Sequence, residues 1–100
     1  GVQNPNITGQ PSGVSVAAGA TATFTVTAES IDGGTLSYQW QKAVGGGTFA
    51  NISGANSASY QTAATVAGDD GTLYRCLVTN TKGGLSVTAT TVAAMLTVAG

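Results

Sequence analysis

The sequence predicts an all-β chain folded as a sandwich of two antiparallel sheets, with about seven or eight strands and no disulfide. Three observations carry this. Short strand-like segments recur between Gly, Asn, Asp and Pro turn signals, and no helical period of apolar residues appears. The only tryptophan, Trp40, stands 36 residues before the only cysteine, Cys76, which lies in a Tyr74-x-Cys76 strand. One hundred residues make one domain able to bury roughly 60 to 70% of its unfolded surface. Residues 1–9 read as an N-terminal arm or linker and residues 10–100 as the domain.

In chain order, Pro11-Ser12-Gly13 breaks the chain before a short strand, Val14-Ser15-Val16, and Ala17-Ala18-Gly19 turns it into the next. From Ala20 to Ala28 the residues alternate, with Ala22, Phe24 and Val26 on one face and Thr21, Thr23, Thr25 and Thr27 on the other. That period of two defines a half-buried strand with a threonine outer face. After the Asp32-Gly33-Gly34 loop, Leu36, Tyr38 and Trp40 share one face, and Ser37, Gln39 and Gln41 the other. Gly45-Gly46-Gly47 is a turn, Thr48 to Ile52 a short strand, Gly54-Ala55-Asn56 a turn, and Ala58 to Thr65 a strand carrying Tyr60. Gly68 to Gly71 marks the corner before Leu73 to Asn80, which turns Tyr74, Cys76 and Val78 to one side.

Lys82-Gly83-Gly84 is a hairpin signal leading into a last strand, Leu85 to Val98. Its apolar residues sit on odd positions at Leu85, Val87 and Ala89 but on even ones at Val92, Ala94, Leu96 and Val98. The slip near Thr90-Thr91 predicts a β-bulge. A continuous strand of this length spans about 46 Å against a compact diameter of about 35 Å, so it projects as a tongue or overhangs.

Composition excludes several functions. Charged residues are 7% of the chain and the formal net charge is -1, too little to neutralise phosphates, so nucleic acid is not an expected partner. There is no histidine, which removes the commonest general base and metal ligand and every Ser-His-Asp or Cys-His pairing. No catalytic, cofactor-binding or metal-binding residue is assigned, and no cofactor is expected. No apolar run approaches ~18 residues, so membrane insertion is not expected. A chain opening at Gly1 without a signal or lipidation motif reads as a mature or excised fragment. Asn6-Ile7-Thr8 and Asn51-Ile52-Ser53 match the glycosylation pattern, which is frequent by chance, and no glycans are assigned.

Three runs in order, Leu36-Ser37-Tyr38-Gln39-Trp40-Gln41-Lys42, Ile52-Ser53-Gly54-Ala55 with Ser57 to Tyr60, and Asp69-x-Gly71-x-x-Tyr74-x-Cys76-x-Val78-x-Asn80, resemble bacterial and phage immunoglobulin-like (I-set-like) modules. The resemblance covers roughly residues 10 to 98 and implies an immunoglobulin-like Greek-key sandwich. It implies a core of Phe24, Val26, Tyr38, Trp40, Tyr60, Tyr74, Cys76 and Val78. It makes Tyr74 a tyrosine-corner residue whose hydroxyl bonds backbone near the preceding turn, with Asp69 helping to fix that corner. Val26 stands where the family's first cysteine would be, so a Val26 to Cys76 contact over Trp40 replaces a bridge worth roughly 4 kcal/mol on chain-entropy grounds.

Sharper readings of single residues yield to packing. Cys76 on an inward face without histidine beside it is an inert core thiol, and Trp40 is a core residue before it is a sugar platform. Phe49, after the triple glycine, is the aromatic expected at the surface. Asp69 and Asp70 cap a corner; calcium would need ~6 to 8 oxygens, with only Asp32, Glu29 and backbone groups to join them. The expected function is a non-catalytic module for spacing, display or weak adhesion in an extracellular, cell-surface or virion protein. Its expected partners are neighbouring domains, copies of itself, or surface carbohydrate. The alternative is a structural subunit that self-assembles into a filament or particle coat through strand or edge exchange.

Overall fold

In the computed structural model, residues 3–99 are described. They form ten strands in two layers: β1 (Asn6–Gly9), β2 (Val14–Ala17), β3 (Thr23–Thr25), β4 (Thr27–Glu29), β5 (Thr35–Ala43), β6 (Ala50–Asn51), β7 (Ser59–Gln61), β8 (Leu73–Lys82), β9 (Leu85–Thr90) and β10 (Ala94–Ala99). One layer is built from β1 paired to β4 and β3 paired to β7; the other is the six-stranded sheet β2-β10-β8-β5-β6, with β9 also on β8. The immunoglobulin-like Greek-key sandwich expected from the sequence is the fold that forms.

Several boundaries differ from the expectation, each for a local reason. The threonine-faced strand divides at Val26, whose N–H donates to Ala58 O at 2.9 Å, so that β3 pairs with β7 while β4 pairs with β1. Five residues of the expected strand from Ala58 to Thr65 lie outside it, leaving only Ser59–Gln61 as β7. The strand expected from Thr48 to Ile52 shrinks to Ala50–Asn51. Part of the expected N-terminal arm is β1, in register with β4 through Asn6↔Glu29 and Ile7↔Ala28. The sheets are not wholly antiparallel, because β2 runs parallel to β10 from Val14↔Leu96 to Ala17↔Ala99.

The last strand is two strands. Between the pairs Leu77↔Thr90 and Tyr74↔Ala94, β8 advances three residues while the opposite chain advances four, which is the extra residue of a β-bulge. Thr91 fills the gap. Its N–H donates to Cys76 O at 3.0 Å, and its Oγ1 accepts the Cys76 N–H at 2.9 Å. A side-chain hydroxyl thus takes the place of a ladder carbonyl, and Leu96 and Val98 return to the core face beyond it. The β8–β9 hairpin does not project as a free tongue, because β5 backs it as far as Thr35↔Thr81. The length appears in the whole body instead, 49 × 22 × 20 Å.

The core lies between the layers. Ala22, Phe24 and Val26 from one face Trp40, Tyr74, Cys76, Val78, Leu96 and Val98 from the other. Phe24 stacks on Tyr74 with centroids 4.6 Å apart, and Tyr60 closes on both Tyr74 and Trp40, at 5.8 and 6.4 Å. Replacing Thr91 by Val removes the acceptor of a buried N–H while keeping the shape. Such a loss costs about 1–3 kcal/mol, so urea unfolding should show a destabilisation of that order for Thr91→Val and much less for Thr91→Ser; equal stability of all three chains would refute the role given to the hydroxyl.

Candidate functional site

The residues assigned to the core by sequence divide by depth. Phe24, Val26, Trp40, Tyr74, Cys76 and Val78 are buried, while Tyr38 and Tyr60 are partly buried and pack against them. Trp40 offers nothing to a ligand: it is fully buried and its Nε1–H donates to Ser57 O at 2.7 Å. Cys76 is equally enclosed, and burial pushes its thiol up to about 11, only partly offset by the Gln39 backbone N–H. A neutral, enclosed thiol is neither a nucleophile nor a ligand.

Tyr74 departs from its expected role. Its hydroxyl makes no hydrogen bond among the described residues; the ring acts through stacking on Phe24. Burial foremost, with Tyr60 and Asp69 nearby, raises its phenol to about 12. Carboxylates and the Thr72 hydroxyl tie the corner instead. Asp69 Oδ2 accepts the Val66 N–H at 3.0 Å, Thr72 Oγ1 donates to Asp69 O at 2.8 Å, and Asp70 Oδ1 accepts the Val98 N–H at 2.8 Å.

Asp32 is at the other end of β8. It meets Asn80 there, roughly 25 Å from the corner by strand rise, so the carboxylates of the two ends cannot share one ion. Asn80 is fully buried at the last inward position of β8. Its Nδ2 donates to Asp32 Oδ1 and Oδ2 at 3.0 and 3.1 Å and to Gln3 O at 2.9 Å. Asp32 also accepts the Gln3 and Gly34 N–H groups and the Ser30 hydroxyl. The Asn80 amide first, then the Gln3 N–H, hold the Asp32 carboxyl well below the usual aspartate range. Among the described residues Asn80 Oδ1 has no hydrogen-bond partner. Gly34 packs against it so closely that a Cβ there would collide with Oδ1 and lie 2.8 Å from Thr81 O. This knot joins the amino-terminal segment, the loop before β5 and the end of β8.

The outer face of the six-stranded sheet is different. Gln41 and Arg75 are cross-strand partners on β5 and β8, and Asn51 of β6 pairs with Gln41 on the other side. Arg75 Nε–H donates to Gln41 Oε1 at 2.8 Å, and Gln41 Nε2–H donates to Asn51 Oδ1 at 2.8 Å. The guanidinium carbon of Arg75 lies 4.0 Å from the Phe49 ring centroid, a cation–π contact. Phe49 is only partly exposed for this reason. Beyond the row stand Ser37, Thr79 and Thr88, with Thr79 and Thr88 hydroxyls 2.8 Å apart. The sequence singled out Phe49 but not Arg75, because their meeting depends on the β5–β6 hairpin and the β5–β8 register.

The fold is shared with immunoglobulin domains of known structure. A titin M10–obscurin-like 1 Ig complex superposes with a TM-score of 0.54 at 22% identity, over 95% of this chain and 92% of that one. Tandem Ig repeats of Dlar give 0.56 at 22% identity over 94% and 47%, and Sidekick-1 immunoglobulin domains 1–5 give 0.57 at 24% over 94% and 19%. The chain thus spans about half of the Dlar chain and about a fifth of the Sidekick-1 chain. These likenesses define an immunoglobulin-like β-sandwich. The chain belongs to the family described as a domain of unknown function, DUF8696, which matches residues 7–100. No curated protein matches it.

The Asp32 knot makes a pH prediction. A carboxyl whose folded pKa is depressed stabilises the fold above its unfolded value, near 4, and that contribution drains away as pH falls toward the folded value. Urea midpoints measured from neutral pH down to about pH 2 should therefore fall below pH 4, and Asp32→Asn should remove that part of the slope. An identical acid profile in the variant would show that Asp32 does not carry it.

Proposed function

We propose that this domain is a non-catalytic immunoglobulin-like module that spaces, displays or weakly adheres within an extracellular, cell-surface or virion protein. The carrying observation is where its reactive groups lie. The one thiol is buried and neutral, Asp69 and Asp70 are engaged by backbone N–H groups and Asp32 by the Asn80 amide and backbone, and the strand faces turned to solvent carry mainly hydroxyls and amides. The neighbours in fold include tandem immunoglobulin arrays, which supports neighbouring domains as partners. Copies of itself and surface carbohydrate are the other partners in this reading, and the sequence resemblance adds a bacterial or phage source. In this reading the domain is residues 10–100 and residues 1–9 are an arm or linker, of which Asn6–Gly9 is held on β4.

One observation favours a second reading, a self-assembling structural subunit. Among the described residues β9 pairs only with β8, so its other edge is free. Leu85–Thr90 has none of the charges or prolines that commonly guard an edge, and Leu85 is 57% exposed. A second copy could add there strand to strand.

Sedimentation velocity separates the readings. The module reading expects a monomer whose sedimentation coefficient does not change with concentration. A persistent polymer that Thr88→Lys dissolves, by placing a charge on the β9 edge, would overturn it in favour of assembly.

A further inference from the structure

We propose that the outer face of the six-stranded sheet carries a binding site centred on Arg75 that receives the carboxylate of an acidic sugar, a uronic acid unit of a polysaccharide. Arg75 is the only arginine in the chain. It is held on two sides, by the Phe49 ring at 4.0 Å and by the Gln41 carbonyl oxygen at 2.8 Å. Among the described residues it forms no ion pair, and its terminal nitrogens donate to no protein acceptor.

The direction of the hydrogen bonds selects the ligand. Gln41 Oε1 is engaged by Arg75 and Asn51 Oδ1 by Gln41, so the row runs from Arg75 to Gln41 to Asn51 with its amides oriented. Both ends of the row are left as donors: the terminal guanidinium nitrogens and the Asn51 side-chain N–H groups. Two donor ends with a positive charge at one of them match a ligand rich in acceptors and negative at one point. A carboxylate meets the guanidinium fork bidentately, and ring or hydroxyl oxygens of the same sugar suit the amide end.

The position favours a sugar over an acidic peptide. Arg75 and Gln41 lie on β8 and β5, interior strands of the sheet, where a peptide has no free edge to pair with. The outward residues that flank the row, Leu73 and Leu77 on β8 and Gln39 on β5, are uncharged, with the hydroxyls of Ser37, Thr79 and Thr88 beyond them, so these residues offer no second cation to a further acidic side chain. This site deepens the adhesive form of the module reading and rests on it. The two fail separately, since a monomer that ignores acidic sugar loses the site alone, whereas a polymer in sedimentation loses the module.

The test is a titration of nitrogen-15-labelled chain with trigalacturonate, its methyl ester and triglutamate, followed by NMR and calorimetry. Trigalacturonate should give saturable shifts at the Arg75 Nε–H and the Gln41 and Asn51 side-chain amides, and the methyl ester none. Arg75→Gln should weaken binding about tenfold or more, and Arg75→Lys less, because it keeps the charge and loses the fork. Asn51→Asp, at an exposed position, should also weaken it by repulsion and keeps the test open where Arg75→Gln does not fold. No saturable shift, equal binding of the ester, unchanged affinity in the variants, or tighter binding of triglutamate would each overturn the proposal.

Discussion

The structure depends on apolar contact between its two layers around Trp40. No covalent bridge crosses the sandwich, since Cys76 has no partner cysteine. Trp40 and Cys76 are cross-strand partners within one sheet, and Phe24 and Val26 belong to the core from the other layer. Each large apolar side chain removed from water contributes about 1.5–3 kcal/mol, and that sum stands in for the bridge. Trp40 enters this core without an orphaned polar atom because Ser57 O accepts its indole N–H. Any change that opens the layers exposes the whole aromatic cluster together.

Polar groups close the sandwich where apolar contact runs out. At one end Asp69, Asp70 and Thr72 tie the corner before β8 to β10. At the other, Asn80 and Asp32 gather the amino-terminal segment, and in the middle Thr91 repairs the ladder at the bulge. All three devices serve β8, the strand that also carries Tyr74, Cys76 and Val78. With β8 fixed along its length, its outward side chains are fixed as well. Arg75 therefore meets Gln41 and Phe49 as a consequence of how the core face is held, which links the packing to the surface row.

Much of this was legible in the residues. The alternation of Ala22, Phe24 and Val26 against threonines marks an inward face because a strand has only two faces. The phase change near Thr90-Thr91 marks the bulge for the same reason. What could not be read depends on long-range partners. Asn80 continues the inward row of Tyr74, Cys76 and Val78, but its burial is tolerable only because Gln3 and Asp32 arrive from 77 and 48 positions away. The division of the threonine strand at Val26 follows from the change of neighbour between β7 and β1, and the parallel β2–β10 pair from the path of the chain between layers. The Arg75 row combines three strands in register, and no spacing within one segment announces it.

The central claim, a sandwich held by apolar packing in which Cys76 is part of the packing, is tested most directly by thiol labelling of the native chain across increasing denaturant. Cys76 should react only as fast as the protein globally unfolds, with the same denaturant dependence as unfolding itself. Rapid labelling without denaturant, or labelling independent of it, would mean that the layers open locally around Trp40 and would contradict the account.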